Sequence, residues 1–138
     1  MNLDPSAFVA DQELVAALRT RAVPVDCTQD RTLFRQGDEP TGLYILHNGS
    51  VTMSMNDPSG AHVGTLPAGA NSLLGLPGLV GNNPYSMSAE AKKGAEVGFV
   101  DRDAFSTLML TEPGLGMMIL RVLAAEVRTA RLAMVGKN

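Results

Sequence analysis

The chain has 138 residues, of which 45% are hydrophobic and only 4% aromatic, and a formal net charge of −3. One domain of this length buries roughly two thirds of its unfolded surface without a metal or disulfide, so Leu, Val, Ala and Met must fill its core. The even mixing of charges argues against a phosphate-tracking nucleic-acid surface, the scarcity of rings against a base-stacking platform, and the single cysteine, Cys27, against an internal disulfide.

In chain order, residues 4–21 place Phe8, Leu14, Val15 and Leu18 at helical spacing, with Pro5 near the start, and predict an N-terminal helical segment. From about residue 23 to 100 the pattern changes to short extended runs, at 23–27, 32–35, 43–48, 50–56, 62–66, 87–91 and 97–100. Gly37-Asp38, Asn48-Gly49, the tip from Asp57 to Gly60, and Lys93-Gly94 divide many of these runs with residues that turn readily. Many short strands joined by tight turns predict a jelly roll or barrel. Asp101 is a good N-cap for a short helix over 102–110, and a longer helix is expected from about Thr111 to Val135, stopping at Gly136. Leu115, Ile119, Val122 and Leu123 are expected to face the roll. Met117, Leu120, Ala124, Val127 and Met134 form a second apolar stripe, which predicts a homodimer seam along this helix. No apolar run reaches the ~18 residues of a membrane span, and the acidic N-terminus is unlike a secretory signal. The expectation is therefore a cytoplasmic protein without membrane contact.

Three runs follow one another: Leu33-Phe34-Arg35-Gln36-Gly37-Asp38, Leu43-Tyr44-Ile45-Leu46, and Asn48-Gly49-Ser50-Val51. Together they resemble the opening strands of cyclic nucleotide-binding domains in catabolite-activator and FNR-type (Crp/Fnr) regulators. The resemblance continues through Leu66-Pro67-Ala68-Gly69, residues 75–91, the stretch Val97 to Arg102, Phe105 and the terminal helix. It implies a double-stranded β-helix, or β-roll, flanked by an N-terminal helix and a long C-terminal helix. The whole chain, 1–138, is then one such domain, with helical segment 1–22, roll 23–100 and C-terminal helices 101–138. Gly37 and Gly49 are expected in tight turns, and Tyr44, Leu46, Val51 and Met53 are expected to point into the roll.

In the resembled family a phosphate-binding cassette holds the ligand: a glycine before a short helix, a glutamate for the ribose, and an arginine for the cyclic phosphate. Here Gly75 opens the corresponding segment, Leu76 stands where the glutamate is expected, and Tyr85 stands where the arginine is expected. The segment between Met53 and Lys92 contains no Lys or Arg, and its only acids are Asp57 and Glu90. A buried phosphate without its guanidinium partner loses about 2–5 kcal/mol. Gly75, Leu76, Tyr85, Ser86 and Ser88 are thus candidate pocket residues of a degenerate cassette, with Tyr85 read as a plug and the serine hydroxyls as serving the backbone or water. Any small-molecule effector is of unknown identity.

The first reading is a non-catalytic regulatory module, dimeric and without a required cofactor, that has lost tight binding of cAMP and cGMP. A rival keeps cyclic nucleotide sensing, with the missing cation supplied by Arg121 or Arg128. A third is a cupin-type metalloenzyme, for which only His47 and His62 stand as ligand candidates, fifteen positions apart. No P-loop, nucleophile elbow or other catalytic constellation appears, so no enzyme, catalytic residue or metal is expected. The resembled transcription factors continue into a winged helix-turn-helix after the long helix, so a chain ending at Asn138 is expected not to bind DNA by that route.

Overall fold

The structure, a computed structural model, describes residues 8–136, with the side chains at 126, 127 and 129–136 outside the description. Eight strands follow α1 (Gln12–Arg19): β1 (Val23–Val25), β2 (Arg31–Phe34), β3 (Gly42–Asn48), β4 (Val51–Asn56), β5 (His62–Ala68), β6 (Ser72–Leu74), β7 (Ser88–Ala91) and β8 (Glu96–Asp101). The short helix α2 (Leu76–Gly81) lies between β6 and β7, and α3 (Arg102–Thr111) and α4 (Gly116–Gly136) follow the last strand. The strands form two antiparallel four-stranded sheets, one in the order β1-β8-β3-β6 and the other β2-β7-β4-β5. This is the expected β-roll with flanking helices.

Alternation along the strands builds two cores. Leu46 of β3, Val51, Met53 and Met55 of β4, Leu66 of β5 and Ala89 and Ala91 of β7 fill the space between the sheets. Leu43 and Ile45, on the opposite face of β3, pack with Leu14, Val15 and Leu18 of α1, Phe105 and Leu108 of α3, and Leu115, Ile119 and Val122 of the last helix and its approach. The first sheet is therefore apolar on both faces, as a layer between a second sheet and helices must be. The tight turns at Gly37 and Gly49 have the positive φ expected of them, and the Asp101 side chain accepts the Ala104 N–H at 2.8 Å as the N-cap of α3.

The chain departs from expectation at several places, among them the last helix, which begins at Gly116 after a single turn at Pro113–Leu115 and not at about Thr111, because α3 continues through that residue. The N-terminal helix is shorter, since α1 begins after Asp11, Val9 bridges Ser72, and the start of the expected segment lies outside the described residues. Strand β6 (Ser72–Leu74) falls outside the expected extended runs. Its three residues are all buried, so they show no alternation from which a strand can be read. The strands at 62–66 and 87–91 are displaced, the first extended to Ala68 and the second beginning at Ser88.

On α4 the roll-facing residues Ile119 and Val122 are buried, whereas Met117 and Leu120 are 62% and 57% exposed and Ala124 is exposed as well. Val127 and Met134, the rest of the expected stripe, have side chains outside the description. No single described helix is long and apolar enough to cross a membrane. The helix α3 and residues Pro113–Ala125 are apolar together, but they meet at 105°.

A polar contact fastens α1 to the sheet. Arg19 donates from Nε to Nδ1 of His47 at 3.0 Å and from Nη2 to Oδ1 of Asn71 at 3.1 Å. Nδ1 can accept only while it is unprotonated. Burial, and then the Arg19 charge, hold the His47 imidazole below its ordinary pKa of 6.5, against a smaller opposing pull from Glu96. With the folded pKa below the unfolded one, the unfolded chain takes up the proton first. The contribution of His47 is then complete above about pH 6.5 and declines as the pH falls through its folded value. The melting temperature of the native protein is expected to fall more steeply between pH 7.5 and pH 5 than that of His47→Gln, which keeps an acceptor but cannot titrate. Superimposable pH profiles in thermal denaturation would show that this ring does not carry the dependence.

Candidate functional site

Where the roll meets α2, Tyr85 is 4% exposed. Its backbone is held on both sides: the Tyr85 N–H donates to the Asp38 carbonyl at 2.9 Å and the Gly37 N–H donates to the Tyr85 carbonyl at 2.8 Å. The turn after β2 thereby fixes the approach to β7. Its ring stacks on Phe34, with centroids 4.1 Å apart and planes at 25°. The phenol, which must find partners when buried, donates to the Gly42 carbonyl at 2.8 Å and lies 3.3 Å from the Thr41 amide that donates to it.

The other wall of this position is the start of α2. Gly75 precedes the helix with φ of 85°, and a Cβ there would stand 2.8 Å from Cε1 of Tyr85. A Cβ on Gly78 would meet the same ring at 3.3 Å. The two glycines let the helix lie directly against the phenol ring. Arg102 ties the same loop from the helical side, its Nη2 donating to the Pro40 carbonyl at 2.9 Å and its backbone N–H to the Thr41 carbonyl at 3.0 Å.

Of the five candidate pocket residues, the structure brings Gly75 and Tyr85 together. Leu76 is fully buried with Leu43 and Ile45 in the helix-side core, whereas Tyr85 belongs to the core between the sheets. Ser86 is exposed, and Ser88 is half-buried with its Oγ accepting the Gln36 amide at 2.8 Å. Along this segment the inward positions are Tyr85, Met87, Ala89 and Ala91, so Ser86 and Ser88 alternate to the outer face. Sequence reasoning passed over Met87 and Phe34 as neighbours of this site. The two-residue period through Ala89 and Ala91 carried the signal for Met87; nothing local pointed to Phe34.

The helix cations lie elsewhere. Arg121 pairs with Asp11 at 2.8 Å on the surface beside α1, and Arg128 is exposed. The two histidines sit on strands of different sheets, His47 bonded to Arg19 and the His62 ring to the Thr65 hydroxyl at 3.0 Å. Among the described residues no three His, Cys, Asp or Glu side chains gather as a metal-binding group.

The family profile described as "cyclic nucleotide-binding domain" matches residues 24–112, which span the roll, α2 and α3. The chain therefore belongs to the cyclic nucleotide-binding domain family. Among curated proteins it is similar to the CRP-like cAMP-activated global transcriptional regulator of Mycobacterium tuberculosis, with 28% identity over 114 residues that cover 83% of this chain and 51% of the regulator. The chain thus spans about half the length of the curated relatives it matches. Among solved structures, the Thermus thermophilus catabolite activator protein shares the fold with a TM-score of 0.74 at 24% identity, covering 95% of this chain and 62% of the other. The N-terminal domain of a transcriptional regulator from Streptomyces coelicolor A3(2) gives a TM-score of 0.63 at 24% identity, covering 94% and 90%. The curated relatives are described as CRP-like transcriptional regulators.

Removing the Tyr85 hydroxyl leaves the Gly42 carbonyl and the Thr41 amide without this partner. Tyr85→Phe is therefore expected to cost about 1–3 kcal/mol of unfolding free energy, whereas Ser86→Ala, on the exposed face, should stay within about 0.5 kcal/mol of wild type. Urea denaturation of the two variants checks this, and equal stabilities would mean that the phenol contacts contribute nothing.

Proposed function

We propose that this chain is a non-catalytic regulatory module of the cyclic nucleotide-binding type whose phosphate position is closed by its own Tyr85. On this reading it does not bind cAMP or cGMP tightly, and two copies associate through α4. The observation that carries the reading is the Tyr85 ring seated between Phe34 and the glycines of α2, with its hydroxyl bonded to the backbone at Thr41 and Gly42. The segment between Met53 and Lys92 supplies no Lys or Arg, and the Arg121 guanidinium is paired with Asp11. A ligand phosphate entering here would have to displace the ring and lose its water without an opposing fixed charge, at a cost of about 2–5 kcal/mol.

The dimer rests on Met117, Leu120 and Ala124, which lie at steps of three and four along α4 and are exposed. Such a stripe gains by burial against its own copy. A second reading, true cyclic nucleotide sensing, is favoured by the similarity to a regulator described as cAMP-activated.

Calorimetry and thermal shift separate the two readings. A ligand at a hundred times its Kd adds ~2.7 kcal/mol of stability, a shift of several degrees in a domain of this size. The expected result is no shift and no saturable heat with cAMP or cGMP in the micromolar range; saturable micromolar binding of either would replace this reading with the second. Light scattering is expected to find a dimer that Leu120→Glu converts to a monomer, and a wild-type monomer at high concentration would remove the seam.

A further inference from the structure

The aromatic rings of the roll are not scattered. Tyr85 stacks on Phe34, Phe34 lies 5.7 Å from Tyr44, and Tyr44 lies 4.9 Å from Phe99, so that four of the chain's six rings form one row. At the Tyr85 end the row is sealed. At the Tyr44 and Phe99 end it reaches the surface, where both rings are half-buried and floor a cleft of about 440 Å³ between β1 and β2. This volume lies within the range of small-molecule sites, roughly 300–1,000 Å³.

Both flanking strands are at sheet edges, which raises the question of whether an added peptide strand fills the gap. The edges are poorly suited to it. Pro24, at the centre of β1, has no N–H to offer. On β2 the Leu33 carbonyl already accepts the Tyr44 hydroxyl at 3.2 Å, and burial pushes the Tyr44 phenol above its ordinary pKa, so that it stays a donor. A compact ligand that uses side chains suits this cleft better than an extended main chain.

Its charge preference comes from the rim. Asp26 is engaged by the turn that follows it, with Oδ1 accepting the Thr28 N–H at 2.9 Å. Arg31 spends one Nη1 bond on the Asp26 carbonyl at 3.2 Å and forms no salt bridge among the described residues. Its remaining donors suit a carboxylate, for which a guanidinium is the natural partner. We propose that the cleft between β1 and β2 is a second binding site, distinct from the cassette, for a small planar anion whose ring packs on Tyr44 and Phe99 and whose carboxylate pairs with Arg31.

Two-dimensional amide NMR with 2-naphthoate as the probe tests this, with the uncharged 2-naphthamide as its isostere. Saturable shifts are expected at the amides of Val25, Thr32, Leu33 and Phe99, with submillimolar Kd for the acid and markedly weaker binding of the amide. Arg31→Gln should weaken naphthoate about tenfold, the loss of one charge-assisted contact. Val23→Trp, which adds bulk at a rim position already 62% exposed, should block the cleft without disturbing the core. The proposal is overturned by any of three outcomes: no saturation at millimolar naphthoate, equal binding of acid and amide, or naphthoate affinity unchanged in Arg31→Gln.

Discussion

A buried phenol cannot be left without partners, and the way Tyr85 satisfies this requirement organises the surrounding structure. Its hydroxyl takes one donor and one acceptor from Thr41 and Gly42, just where β3 begins, while its backbone is bound to the turn at 37–38. The end of β2 and the start of β3 are thereby held to the approach to β7, more than 40 residues further along the chain. Arg102 reaches the same loop from α3, so this point also ties the helical layer to the roll. Neutral hydrogen bonds of this kind contribute only ~1 kcal/mol each when made. Their weight lies in the penalty for leaving any of these buried groups unpaired.

With so few rings in the chain, their concentration in a single row has consequences for the rest of the core. The space between the sheets is otherwise filled by Leu, Val, Ala and Met, which pack well but do not direct one another's orientation. The row supplies that direction, running from the cassette helix at Tyr85 to the free edges of both sheets at Tyr44 and Phe99. One end is closed by hydrogen bonds, while the other is bounded by strands that are the edges of their sheets among the described residues. The openness at β1 and β2 thus follows from topology, since a roll made of two four-stranded sheets must leave edges where they do not close on each other.

What could be read in the sequence was whatever depends on local pattern. Turns with glycine or asparagine, alternation along β3 and β4, and the Asp101 cap all report on neighbours a few residues away, and these features stand in the structure where the pattern put them. Strand β6 escaped because all three of its residues are buried, leaving no period to count. At the site, Gly75 and Tyr85 could be picked out by resemblance, but the side chains around them could not be oriented. Leu76 belongs to the helix-side core, and the serines fall on the outer face because the inward positions of β7 and the residues leading into it are Met87, Ala89 and Ala91. Partners such as Phe34 for Tyr85, or Arg19 for His47, are separated by tens of residues, and no local signal carries them.

The positions of the glycines and the cations together bear on what can occupy the space at the start of α2. Gly75 and Gly78 leave room at the start of α2 for something to lie close against the backbone, and the tyrosine ring occupies that room. An anion placed there instead would need a guanidinium or ammonium group near enough to offset its desolvation. Two arginines that could be recruited are already engaged: Arg102 bonds main-chain carbonyls of the loop at 40 and, more weakly, of α2 near its C-terminal end, and Arg121 faces Asp11. Freeing Arg102 would release the loop that Tyr85 also holds, so recruiting that cation and keeping the phenol satisfied are competing demands. A neutral ring asks for nothing beyond the two backbone groups it already has. For this set of residues the closed arrangement is therefore the one in which the Tyr85 hydroxyl and the Arg102 guanidinium both keep their main-chain partners.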